Sequence, residues 1–312
     1  MLKTNRDLPL VEKILKLKRD RNAVILAHNY VRPEVQRMAG FVGDSLELAR
    51  KVKEVDAEYI VFAGVDFMAE MAAILNPDKK VIHPDPCSKC AMAARIKAKD
   101  ILKAKEKYPD AEVVTYINSS SEVKAVSDVI YTSANAVKLV KSMKSNRIIF
   151  APDKNLAHYV ATQTDKELIP VPENGCCPVH HALTPEDIAR NLERYPEAEV
   201  IVHPECTPEI IKLADFVGST SALIHHVKET SAKTIIVGTE MGIISRMKRD
   251  SPEKNIIPAS KYLVCPDMKM LTAEKVIKAM EQKEPIVHVD EDVCQGARKA
   301  LERMFELSTP ER

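Results

Sequence analysis

Tryptophan is absent from this chain of 312 residues, and aromatic residues make up only 4% of it. A platform of stacked rings for bases or sugars is therefore not what the sequence builds, and recognition falls to polar and metal contacts. An excess of charge is missing too: 46 Lys and Arg stand against 45 Asp and Glu, a formal net charge of +1, which argues against a nucleic-acid partner. No apolar run, Tyr59–Val65 included, approaches the ~18 residues needed to span a bilayer, so no membrane association is expected. The opening Met1-Leu-Lys-Thr-Asn-Arg-Asp-Leu-Pro has neither an apolar core nor a small-residue cleavage site, and a cytoplasmic location is expected. GxxxxGKS/T, GxGxxG and GxSxG are all missing, which sets aside nucleotide hydrolysis by a phosphate loop and serine-hydrolase chemistry. What remains is a mixture of 45% hydrophobic and 29% charged residues, long enough for two or three domains. It carries seven cysteines, an odd number without an export signal, which favours metal or redox chemistry over a disulfide framework.

Continuously apolar strand-like segments such as Ala23-Val-Ile-Leu-Ala27 and Tyr59-Ile-Val-Phe-Ala63 alternate with helical stretches such as Phe67–Leu75, the pattern of parallel sheets covered on both faces. The pattern also repeats. His28-Asn-Tyr-Val-Arg-Pro-Glu34, Tyr116-Ile-Asn-Ser-Ser-Ser-Glu122 and His203-Pro-Glu-Cys-Thr-Pro-Glu209 each follow an apolar strand. In the same register fall the hydroxyls Ser45, Ser133 and Thr220, the acids Asp66, Asp153 and Glu240, and the cysteines Cys90, Cys177 and Cys265, the last spaced by 87 and 88 residues. The fold class expected is α/β: three homologous three-layer α/β/α domains with parallel sheets in a pseudo-threefold arrangement, ligand-facing loops at the carboxyl ends of the strands. The first domain comprises 1–89 plus 266–312, the second 90–176 and the third 177–265. A helix around Leu10, Ile14 and Leu17 and two helices around Pro285 are expected to pack on the first domain.

Three cysteines at matched positions in three copies can converge on one metal centre, and thiolates are the usual ligands of iron–sulfur clusters. Three of them on a four-iron cube leave one iron open as a Lewis acid. Buried small hydrophobes are the bland alternative. Cys87-Ser-Lys-Cys90 also has the spacing of a zinc half-site or a redox pair, and no second CxxC accompanies it. Ser45, Ser133 and Thr220 open helical stretches, where they serve either as caps or, with the helix N-termini, as an anion site. His28, Tyr116 and His203, with Tyr30, Asn118 and Glu205 two residues on, are proton-transfer and hydrogen-bonding groups that differ between copies, as an asymmetric substrate requires. Asp66, Asp153 and Glu240 read as acids at helix starts.

The motifs HNY, GDS, FMAE, YIN, TSAN, PDKNLAHY, HPE and CxxMK, in this order between about Asn22 and Thr272, resemble those of the quinolinate synthase family. The resemblance implies one [4Fe-4S] cluster per chain, held by Cys90, Cys177 and Cys265, the three that the repeat register selects. It implies condensation of iminoaspartate with dihydroxyacetone phosphate to quinolinate, with loss of phosphate and two waters. An iminoaspartate-producing aspartate oxidase or dehydrogenase is then a functional partner. By the same resemblance His28, Ser45, Tyr116, Ile117, Asn118, Ser133, His203, Pro204, Glu205 and Thr220 line the substrate site, and Tyr30, His203 and Glu205 transfer protons. The chain departs from the family pattern at Ala151, where glycine commonly precedes Pro-Asp, and in carrying Cys87 and Cys176 beside the implied ligands; the register favours Cys177 over Cys176. The diphthamide-synthesis radical enzymes and the hydroxymethylbutenyl diphosphate reductases share a tripled cysteine architecture, but their motif order resembles this chain less. A structural zinc protein is the non-catalytic alternative.

Overall fold

The computed structural model describes residues 8–308; most of the opening segment read above for an export signal lies outside them. Among the described residues, twelve strands alternate with helices and form three four-stranded sheets in which every neighbouring pair runs parallel. The first sheet holds β1 (Ala23–His28), β2 (Phe41–Gly43), β3 (Tyr59–Ala63) and β4 (Lys80–Ile82). The second holds β5 (Glu112–Tyr116), β6 (Val129–Tyr131), β7 (Arg147–Ala151) and β8 (Glu167–Pro170). The third holds β9 (Glu199–Val202), β10 (Phe216–Val217), β11 (Thr234–Gly238) and β12 (Asn255–Pro258).

Their orders are β2-β1-β3-β4, β6-β5-β7-β8 and β10-β9-β11-β12, one topology used three times. The internal repeat extends to single bonds: the N–H groups of Gly40, Asp128 and Asp215 donate to the carbonyls of Ile25, Val113 and Val200 at 2.8, 3.0 and 2.8 Å. In each sheet the order reverses between the first and third strands, so the loops leaving their carboxyl ends flank a crevice. His28, Tyr116 and His203 lie at or just past the ends of the first strands and Asp66, Asp153 and Glu240 just beyond the third, whereas Ser45, Ser133 and Thr220 follow the second strands and Cys90, Cys177 and Cys265 the fourth.

The strand cores are the apolar, β-branched runs that parallel sheets need. All five residues of β3 are buried, and each of Ile60, Val61 and Phe62 contributes ~1.5–3 kcal/mol of burial. Helices are fixed by local chemistry as well. Asp44 and Glu47 form a reciprocal capping box at Ser45–Glu54, and Thr184 and Thr272 cap Pro185–Arg194 and Ala273–Gln282.

The chain divides into two compact units: residues up to Lys89 with Pro266–Val289, carrying the first sheet, and Cys90–Cys265 with the residues from Asp290, carrying the second and third. One expectation is thereby corrected. The helix Ala273–Gln282 belongs with the first sheet, but the final helix Glu291–Ser308 packs against the helix Ser121–Ala125 and β6 of the second. Its buried face is Ala297, Ala300, Leu301 and Met304. Arg303 donates to the Asp128 carbonyl and to Glu112, and Ser308 accepts from Asn135. No described helix is long and apolar enough to cross a membrane.

Candidate functional site

In the first unit, His28 ends β1 and is buried with Tyr30, the two rings meeting edge to face at 4.7 Å. His28 Nδ1 accepts the Tyr30 N–H at 3.2 Å, which assigns the ring proton to Nε2. Ser45 is the first residue of its helix, where Asp44 does the capping. The Tyr30 carbonyl accepts from Lys269 Nζ of the CxxMK motif.

The second unit repeats this local design. His203 follows β9, and its Nδ1 accepts the Glu205 N–H at 3.3 Å, as His28 does for Tyr30. His203 Nε2 lies 3.2 Å from Ser133 Oγ, joining candidates from two copies of the repeat. Tyr116, buried at the end of β5, stacks on Tyr131 at 5.0 Å. Ile117 is fully buried and Pro204 is buried beside His203. Asn118 is half-buried, and its Oδ1 is out of solvent without a hydrogen-bond partner. Thr220 opens its helix, capped not by itself but by Ser219. Neither Ser45 nor Thr220 is therefore the helix cap.

His180, three residues beyond Cys177, was not among the residues singled out from the sequence, yet it sits at the centre of the cluster. Its Nδ1 lies 3.2 Å from Cys177 Sγ and 2.7 Å from Glu205 Oε2, and its Nε2 lies 2.8 Å from Thr239 Oγ1. The ring stacks on His203 with 4.7 Å between centroids. Glu205 is 3% exposed, and its Oε1 has no hydrogen-bond partner. Burial pushes its carboxyl up, but the charges of His203 and His180, with hydrogen bonds from His180 and Tyr116, outweigh that and hold it below the usual carboxylate range.

Asp153 and Glu240 do more than start helices. Asp153 Oδ1 accepts the N–H groups of Asn155 and Leu156, while Oδ2 accepts that of Cys177 at 2.9 Å. Glu240 accepts Gly242 N–H on Oε2 and Cys265 N–H on Oε1, at 2.6 and 3.1 Å.

Of the three register-matched thiols, Cys90 neighbours both Cys265 and Cys177. Burial pushes Cys90 up to about 12, with the adjacent Cys265 and Glu205 adding to the rise. Burial likewise pushes Cys177 well above the usual thiol range, with Glu205 and Cys90 adding to the rise. A metal centre bound there would take them as thiolates, its positive charge offsetting the cost of ionising buried sulfur. None of the seven cysteines, all among the described residues, is in a disulfide. Cys206 is wholly buried against the Gly238 carbonyl in the third sheet's core, the bland role, and Cys87 is exposed.

The donor set fits an iron–sulfur cluster: three soft sulfurs, with the unpartnered oxygens of Glu205 and Asn118 marking polar groups that await a partner. Cys177, His180 and Glu205 also bring their ligand atoms within 4.8 Å of one another, a group able to hold a metal ion. There His180 Nδ1 is already engaged at hydrogen-bond distance by both neighbours.

A family model described as "NadA: Quinolinate synthetase A protein" matches residues 12–306. A protein named quinolinate synthase from Pyrococcus abyssi is 51% identical over 299 residues, covering 96% of this chain and 99% of the relative. Relatives of the same name from Methanopyrus kandleri and Thermodesulfovibrio yellowstonii are 48% and 46% identical, covering 91% and 95% of this chain and 98% of each relative.

Proposed function

Because this chain belongs to the quinolinate synthetase A family, we propose that it acts as a quinolinate synthase, condensing iminoaspartate (iminosuccinate) with dihydroxyacetone phosphate to quinolinate with loss of phosphate and two waters, in NAD biosynthesis. The observation that carries the proposal is the meeting of three register-matched thiols with the His180–Glu205–His203 cluster. Cys90, Cys177 and Cys265 would hold one [4Fe-4S] cluster per chain. When bound, that group supplies a Lewis acid at the iron that lacks a protein thiolate.

The chain's own residues supply the rest. Glu205, favoured as a carboxylate by its two histidine neighbours and with Oε1 unpartnered, is placed to accept a proton from substrate. His203, assigned a proton on Nε2 by its Nδ1 contact to the Glu205 N–H, is the donor beside it and orients Ser133. Thr220, free of the capping duty, stands at a helix N-terminus suited to a carboxylate or phosphate. Tyr116, Ile117, Asn118 and Pro204 complete the substrate contacts proposed for the second unit. In the first unit the proposal gives proton transfer to Tyr30 and substrate contact to His28 and Ser45. Seven cysteines without a disulfide suit the reducing cytoplasm, where an aspartate oxidase or dehydrogenase would supply the unstable iminoaspartate.

The test is direct. After anaerobic reconstitution with iron and sulfide, the chain should form quinolinate from dihydroxyacetone phosphate and enzymatically generated iminoaspartate. A loaded chain that forms none overturns the proposed activity, and a chain that takes up only zinc overturns the cluster.

A further inference from the structure

We propose that Asp153 and Glu240 are positioning residues that clamp Cys177 and Cys265 in place before the cluster arrives, an inference that rests on these thiols being its ligands. A carboxylate that merely starts a helix needs only the helix's own N–H groups. Asp153 satisfies that duty with Oδ1 alone, through Asn155 and Leu156 at 2.8 and 2.9 Å, and devotes Oδ2 to the Cys177 N–H, 24 residues away. Glu240 divides its oxygens the same way, Oε2 to Gly242 of its own helix and Oε1 to Cys265, 25 residues away.

Each clamp has a second strand of support at matched positions. The residue after the acid donates its N–H to the carbonyl two residues before the cysteine: Lys154 to Gly175 and Met241 to Leu263, both at 2.8 Å. Gly175 is required by this closeness, since a Cβ there would lie 1.9 Å from the Pro152 carbonyl oxygen. Two unrelated acids, Asp and Glu, make the same pair of connections in two copies of the repeat. Each bond closes a helix–strand excursion, Lys154–Ala161 with β8 and Gly242–Asp250 with β12, so both cysteines are held at a fixed distance from the acid that follows the preceding strand. Contacts that orient a ligand residue in this way govern how tightly a metal centre is held.

The reconstituted full chain tests the idea through iron content and the rate of iron loss to a chelator, independently of turnover. Asp153→Ala and Glu240→Ala, checked for native far-UV circular dichroism, should lose iron at least ~10-fold faster than the parent. Asp153→Asn and Glu240→Gln, which keep one acceptor oxygen, should fall between; they carry the test if the alanine variants do not fold. Thr184→Ala removes a helix cap that touches no cysteine and should retain iron like the parent. Folded Asp153 and Glu240 variants that hold iron as long as a loaded parent overturn this inference alone. A parent that takes up no iron overturns the cluster reading and the clamp together.

Discussion

Glu205 Oε2 lies 2.7 Å from His180 and 3.5 Å from His203, both side by side in a stacked pair. Replacing Glu205 with Gln keeps the shape and removes the charge. The variant should load iron normally and lose ~10²-fold or more in kcat; unchanged turnover would remove Glu205 from the proton transfers. His203 and Glu205 are legible in the sequence because their copies, His28 and Tyr30 or Tyr116 and Asn118, stand at the same register positions with other polar groups. His180 is not legible that way. Three residues past the other two cysteines stand Ala93 and Met268, so no repetition marks the site. Its role is visible only once the third sheet brings Thr239 and Glu205 onto the two ring nitrogens.

At the scale of elements, the final helix shows where periodicity stops being informative. The apolar positions of Glu291–Ser308 announce a helix with one buried face, but an apolar face does not name its partner, and the partner is the second sheet rather than the first. Gly296 gives one reason. A Cβ there would lie 2.6 Å from the Ala125 carbonyl oxygen, so this helix crosses Ser121–Ala125 closer than a side chain allows. Gly296→Val should cost ~1–3 kcal/mol through overpacking, read as a lower urea midpoint. The Arg303–Glu112 pair, at 3.0 Å, fastens the same helix. Burial pushes Glu112 up, but the Ser145 N–H and the Arg303 guanidinium outweigh it and hold the carboxyl below its usual range. A depressed carboxylate stabilises the folded chain above its unfolded pKa, and that contribution is lost as pH falls through the folded value. Arg303→Met should therefore cost about 1 kcal/mol at neutral pH, and the difference from the parent should shrink in acid. A cost independent of pH would assign the effect to the Asp128 carbonyl contact and to packing instead.

For the whole molecule, three copies of one topology were legible because the repeat is written in chemistry as well as hydrophobicity: hydroxyls, acids and cysteines recur at a common period, and so do the backbone bonds they sit beside. The acids were legible as helix starts but not as supports for the cysteines, since the contacts to Cys177 and Cys265 reach across 24 and 25 residues. Spacing alone picked Cys177 over its neighbour Cys176, and the structure sets Cys177 beside His180 and Cys90. The claim on which the account depends is that Cys90, Cys177 and Cys265, and no other cysteines, hold the cluster. It is tested by replacing each of the seven cysteines with alanine in turn and measuring iron and sulfide per chain after anaerobic reconstitution. The account predicts about four irons for the parent and for the Cys87, Cys176, Cys206 and Cys294 variants that fold, with loss of the cluster only at Cys90, Cys177 and Cys265. Loss at Cys87 or Cys176 with retention at Cys90 or Cys177 would contradict it.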